Sequence, residues 1–111
     1  MRLTILLMVK KQILMSAPKH KLIITSLARQ DFRDLVSYTL QIWGKDQSHT
    51  YAEKIDTALN TICNNPDIGR KKHGRMMYGA GQHQIYYRTK DCEVYVLRIL
   101  HQRMDATRHL V

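Results

Sequence analysis

A chain of 111 residues is one domain's worth of sequence, able to bury roughly two thirds of its unfolded surface with no metal or disulfide framework. Its 18 Lys and Arg against 9 Asp and Glu leave a formal charge of +9, which predicts attraction to nucleic acid, a membrane surface or an acidic protein. Cys63 and Cys92 lack C-x-x-C spacing, so the expectation is two free thiols in a reducing cytoplasm, with no metal and no cofactor.

The first fourteen residues, MRLTILLMVKKQIL, place a basic residue before a short apolar run, as a signal peptide does. No A-x-A site follows and LTILLMV is too short to span a bilayer. The expectation is a non-native leader, with translation able to begin at Met15, a single domain over 15–111 and no membrane association.

HKLIIT, behind Pro18, is rich in β-branched residues and predicts a first strand. Ser26 offers an N-cap. Behind it Ala28, Phe32, Leu35, Thr39 and Ile42 recur at helical steps, and Gly44 ends the helix as a C′ residue. A second helix carries Tyr51, Ile55, Leu59 and Ile62 on one face, flanked by Ala52, Ala58 and Cys63, and closes at Asn64, Asn65 and Pro66. With so short a link the two helices fold back antiparallel, and their apolar stripe needs a sheet to cover.

PDIGRKKHG reads as a basic, turn-like segment. After it come MMY, QHQIYYR and EVYVLRIL, joined by short links, which predict a three-stranded antiparallel meander. Alternation in QHQIYYR puts Gln82, Gln84, Tyr86 and Arg88 on a wet face and His83, Ile85 and Tyr87 on the core. In VYVLRIL both parities are apolar, so this strand is central and covered on both sides. The fold class is α+β, in the order β-α-α-β-β-β, with an N-terminal strand and helical hairpin packed on a small, mainly antiparallel sheet.

Arg98 stands out because alternation sets it on the face of Val94, Val96 and Leu100, where an unpaired guanidinium would cost several kcal/mol. Either it pairs inside the chain with Asp105 or another carboxylate, or it reaches past its neighbours to water, or it floors a groove for a ligand's carboxylates or phosphates. An apolar groove with a cation at its floor suits an amphipathic acidic peptide at least as well as RNA.

From about Lys19 to Leu110 the chain resembles toxins of the RelE/ParE family of bacterial toxin–antitoxin pairs, and specifically the ParE branch. The resemblance is carried by TSLARQDFRDLVSYTLQIWG, with Ala28, Asp31, Leu35, Tyr38, Trp43 and Gly44 in family positions, by the NNPDIGR link, and by RILHQRMDATRHL. It implies a cytoplasmic toxin neutralised by a ParD-like antitoxin in a hetero-oligomer, with DNA gyrase as target and plasmid stabilisation as context. RelE-branch members instead cut messenger RNA on the ribosome, and the shared fold does not decide between them.

A ribonuclease needs a base, an acid and cations around the phosphorane. The candidates are Arg98, His101 and Arg103, with His73, His83, Tyr87 and Arg88 as further possibilities on paper. His83 falls on the core parity, as a structural histidine would, and His73 lies in a loop-like stretch. His101, Arg103 and Asp105 read first as a clip, His or Arg against Asp, and second as a contact surface. No pair supplies an acid and a base at fixed separation, so a protein-binding gyrase poison ranks above an endoribonuclease. A plain nucleic-acid-binding domain fits the charge, but no recognition helix, zinc spacing or RNP-like stretch is present. Residues expected to meet antitoxin or target are Arg88, Arg98, His101, Arg103, Asp105, Arg70, Lys71 and Lys72; Trp43, Gly44, Pro66 and Gly69 are expected to be structural, Trp43 by sealing a corner of the core.

Overall fold

The helical hairpin forms where the apolar spacing places it. In the computed structural model, which describes residues 20–110, β1 (Lys21–Ile24) leads into α1 (Ser26–Trp43) and α2 (Lys45–Asn64). The expectations for residues 1–14 and for a start at Met15 lie outside the described residues. A 3-10 turn (Pro66–Ile68) then leads to β2 (Arg70–Lys72), β3 (Arg75–Ala80), β4 (His83–Lys90), β5 (Glu93–His101) and a one-turn helix, α3 (Ala106–His109).

Thr25, not Ser26, caps α1: its Oγ1 accepts from the Ala28 N–H at 3.2 Å while its backbone is extended. Gly44, at φ +87°, ends α1 by donating its N–H to the Leu40 carbonyl and starts α2 from the same residue. Ala28, Phe32, Leu35 and Thr39 are buried as expected, whereas Ile42 is 57% exposed. The helix has by then run past the sheet that its earlier turns cover.

The sheet has five strands in the order β1-β5-β4-β3-β2, with β1 parallel to β5 and the other pairs antiparallel. RKK at 70–72 is therefore not part of a turn. It pairs with β3 through a tight connection at His73 and Gly74, both at positive φ, and forms the edge of the sheet.

The helices cover one face, packing Phe32, Ile55, Leu59 and Ile62 onto Ile85, Tyr87, Val94, Val96 and Ile99. The second face is not wet at Tyr86, which is fully buried with Met77, Leu100, Ala106 and Leu110. Here α3 and the residue after it act as a small lid. Opposite the Tyr86–Tyr87 step β5 holds one extra residue, Leu97: Tyr86 faces Arg98 and Tyr87 faces Val96. This bulge reverses the alternation. Val94 and Val96 share the helix-covered face with Ile99, while Arg98 and Leu100 belong to the other. Arg98 thus does not share a face with Val94 and Val96, as unbroken alternation predicts.

Candidate functional site

β1 ends at Ile24, so β5 loses its parallel neighbour beyond Val96. The exposed rim is closed by the start of α1. Thr25 donates its N–H to the Val96 carbonyl at 3.1 Å and its Oγ1 to the Leu97 carbonyl at 3.0 Å. Six residues on, Asp31 Oδ2 accepts from the Ile99 N–H at 2.9 Å, standing in for the missing strand.

The same carboxylate takes Arg98 in a bidentate pair, Nε to Oδ2 and Nη2 to Oδ1, both at 2.8 Å. Its second amino nitrogen, Nη1, donates to the His109 carbonyl at 3.0 Å. The side chains are only 15% and 10% exposed. Hydrogen bonding to Asp31 raises the Arg98 pKa further above its already high value. Arg98 is therefore a tie between α1, β5 and the C-terminal turn, and its partner is Asp31 rather than Asp105.

The clip expected of His101, Arg103 and Asp105 is built differently. His101 Nδ1 accepts from the Arg103 N–H at 3.1 Å, which fixes the turn after β5. Asp105 caps α3 through the Thr107 N–H and hydroxyl at 3.2 and 2.6 Å, and these bonds lower its pKa. Its charged neighbour is Arg108 at 3.7 Å, with both side chains exposed. Neither His101 nor Arg103 pairs with it.

His83 stands directly across from His101, with ring centroids 5.2 Å apart. The Tyr51 hydroxyl lies 2.6 Å from His83 Nδ1 and accepts from the Gln82 N–H at 3.0 Å. The one hydroxyl thus ties α2 to the start of β4 through both the Gln82 backbone and the His83 ring. Burial first, and the charge of His101 second, pull the His83 pKa down to about 4. A neutral, half-buried imidazole bonded to Tyr51 serves the structure.

The Asn-Pro-x-x-Gly link is explained by Tyr87. Its hydroxyl donates to the Pro66 carbonyl at 2.6 Å and accepts from the Gly69 N–H at 3.1 Å. A Cβ at Gly69 would strike that hydroxyl and come within 2.9 Å of the Met77 carbonyl, so glycine is required there by close approach. Trp43 does not seal the core. It is 41% exposed, meets Tyr51 edge-on at 5.6 Å, and borders a cleft of about 270 Å³ with Gln47, Thr50 and Lys54.

Arg70, Lys71 and His73 are exposed and Lys72 half-buried on the β2 hairpin; Arg88 is exposed on β4. Arg75, which follows this basic run, is tied down: its Nη1 donates to the His73 carbonyl at 2.8 Å and its Nη2 to the Leu110 carbonyl. Sequence reasoning gave no contact role to Leu27 or Tyr38, which are 59% and 62% exposed. At ~100° per residue, Leu27, Tyr38 and Ile42 fall along one outward strip of α1, beside Asp31. Leu27 also borders a cleft of about 210 Å³ with Leu97, Leu110, Arg75 and Arg98. The available signal was an apolar set at helical spacing on the flank of the buried stripe. Among the described residues no group of three His, Cys, Asp or Glu could hold a metal ion, and no helix is long and apolar enough to cross a membrane.

Solved structures share this fold. The chromosomal ParDE TA system from P. aeruginosa matches with a TM-score of 0.66 at 16% identity, covering 75% of this chain and 96% of that one. The toxin–antitoxin complex RelBE2 from Mycobacterium tuberculosis matches with a TM-score of 0.54 at 22% identity, covering 77% and 99%. At these identities the likeness establishes the fold. In sequence, Toxin ParE1 of M. tuberculosis (strain CDC 1551 / Oshkosh) is 32% identical over 93 residues, 79% of this chain and 95% of the relative. Toxin ParE1 of Caulobacter vibrioides is 31% identical over 87 residues, 75% and 90%. The profile of the ParE toxin of the type II toxin-antitoxin system, parDE, matches residues 22–106, and the chain belongs to that family.

Proposed function

We propose that this type II toxin acts in the cytoplasm by inhibiting DNA gyrase and so stalling replication, and that a ParD-like antitoxin neutralises it in a hetero-oligomer. What favours this reading over RNA cleavage is the state of the titratable groups. Arg98 is neutralised by Asp31, and His83 is kept neutral first by burial and then by His101, with its Nδ1 bonded to the Tyr51 hydroxyl. A phosphorane would find neither a free cation at Arg98 nor a base at His83. His101 and Arg103 contact each other through a backbone bond, which supports a role in shaping the turn.

The antitoxin surface runs along α1 from the Leu27 cleft to Tyr38 and Ile42. Exposed apolar side chains in one strip suit the apolar face of a partner helix or an extended segment. Arg70, Lys71, Lys72, Arg88, His101, Arg103 and Asp105 supply further polar contacts to antitoxin or target. Arg98 contributes by holding the C-terminal turn in place.

Pulse incorporation of labelled thymidine and labelled methionine, minutes after inducing the chain without antitoxin, tests the target. Thymidine incorporation falls first if gyrase is inhibited. A first fall in methionine incorporation refutes the gyrase reading and returns His101 and Arg103 to consideration as catalysts.

A further inference from the structure

Register on the second face places together residues that lie far apart in sequence. Lys72 of β2 is paired with Arg75 of β3. β3 and β4 pair Met76 with Tyr87, and one step further along the same ladder brings Arg75 opposite Arg88. Arg88 is in turn paired with Tyr95 of β5, and its guanidinium carbon lies 5.9 Å from the centre of that ring. Lys72, Arg75, Arg88 and Tyr95 therefore form a single row across four strands, with neighbours about 5 Å apart.

The row lies on the face opposite the helices, beyond the patch covered by α3. Like charges set directly opposite one another weaken a sheet, and here two successive pairs do so. None of the three cations has a carboxylate partner among the described residues. Glu93, the acid nearest in the strands, is engaged by the Tyr95 hydroxyl at 2.6 Å. Arg75 is held in place by its bonds to the His73 and Leu110 carbonyls, so its charge is positioned as well as unneutralised.

We propose that this row binds the phosphate backbone of single-stranded nucleic acid, with Lys72, Arg75 and Arg88 on successive phosphates and Tyr95 as the stacking platform at its end. Cations without a carboxylate partner beside a half-buried aromatic ring are the two ingredients that track a strand without reading its sequence. An amphipathic acidic peptide would call for apolar groups between the cations, and this row has none. The assignment is independent of the gyrase reading, because it concerns the isolated chain and a bare strand.

The test uses the full chain and a fluorescein-labelled dT12 strand, with affinity measured by anisotropy across a salt series. Three phosphate contacts give a slope of log K against log salt of about −2, at about −0.7 per contact. Lys72→Gln and Arg88→Gln should each flatten it by about 0.7, while Lys45→Gln and Lys54→Gln, exposed on α2, leave it unchanged. Tyr95→Leu should weaken binding at every salt concentration without altering the slope. Equal flattening by row and control variants would show that net charge alone drives binding, and would overturn the proposal. So would a dodecaglutamate probe bound with the same dependence on the row. Far-ultraviolet circular dichroism of each variant establishes that the fold is retained, and Arg75 is left intact because it also anchors the C-terminal turn.

Discussion

Replacing Asp31 should damage the fold more than replacing Arg98, although the two side chains form one pair. Asp31→Ala removes both charge-assisted bonds to Arg98 and also the acceptor for the Ile99 N–H on the rim of β5. Removing one partner of a buried pair costs about 3 to 5 kcal/mol, and an orphaned backbone N–H about 1 to 3 kcal/mol. Partial exposure of the pair moderates the first figure, so a loss of about 4 kcal/mol is expected. Arg98→Ala also leaves a buried charge without its partner and loses the tie to the His109 carbonyl, but Asp31 keeps the Ile99 N–H, so a smaller cost of about 3 kcal/mol is expected. The double variant should reveal a coupling of about 1 to 3 kcal/mol. Urea unfolding followed by Trp43 fluorescence reads all three against a total stability of about 5 to 15 kcal/mol. Equal costs for the two single variants with no coupling would refute the reasoning, as would an Asp31→Ala loss below about 1 kcal/mol. Arg98 would then be a free surface charge available to a ligand.

The Tyr87 hydroxyl is a second test: Tyr87→Phe leaves the Pro66 carbonyl and the Gly69 N–H without their partner and should cost about 1 to 3 kcal/mol in the same urea assay. Gly69→Ala should cost at least as much by collision, and a neutral effect of both would show that the link closes without the hydroxyl. Stability should also fall on acidification. The His83 pKa is about 4 in the fold against 6.5 in the unfolded chain, so the unfolded state binds the extra proton between those values. The His83 contribution is fully present above 6.5 and is lost as pH falls towards 4, by at most one proton per molecule. His83→Gln should flatten the dependence of urea midpoint on pH over that window, and an unchanged slope would place the titration elsewhere.

The helical hairpin and the meander were legible because their signals are local. Spacing of Tyr51, Ile55, Leu59 and Ile62 fixes a face without reference to the rest of the chain. Charge composition favoured a loop at 70–72, where pairing with β3 makes a strand; edge strands carry lysine and arginine for the same solubility reason as loops do. The bulge at Leu97 was invisible, since no residue type announces an extra residue in a run apolar on both parities. That one insertion also misplaced Arg98. Its partner Asp31 lies 67 residues away, and only the parallel pairing of β1 with β5 brings the two together.

That pairing also orders events in time. β1 and the hairpin are made first at the ribosome, yet the strand that completes their hydrogen bonding and covers their apolar face is the last of the five to emerge. Until then the apolar side of α1 and α2 faces water or whatever else will cover it, and long-range pairing of this kind is the slow part of folding. A chain cut before Glu93 would lack the central strand to which both β1 and β4 dock, and should be cleared by proteases rather than persist as a shorter fold. A ribosome that stalls before the codon for Glu93 therefore releases no partial toxin.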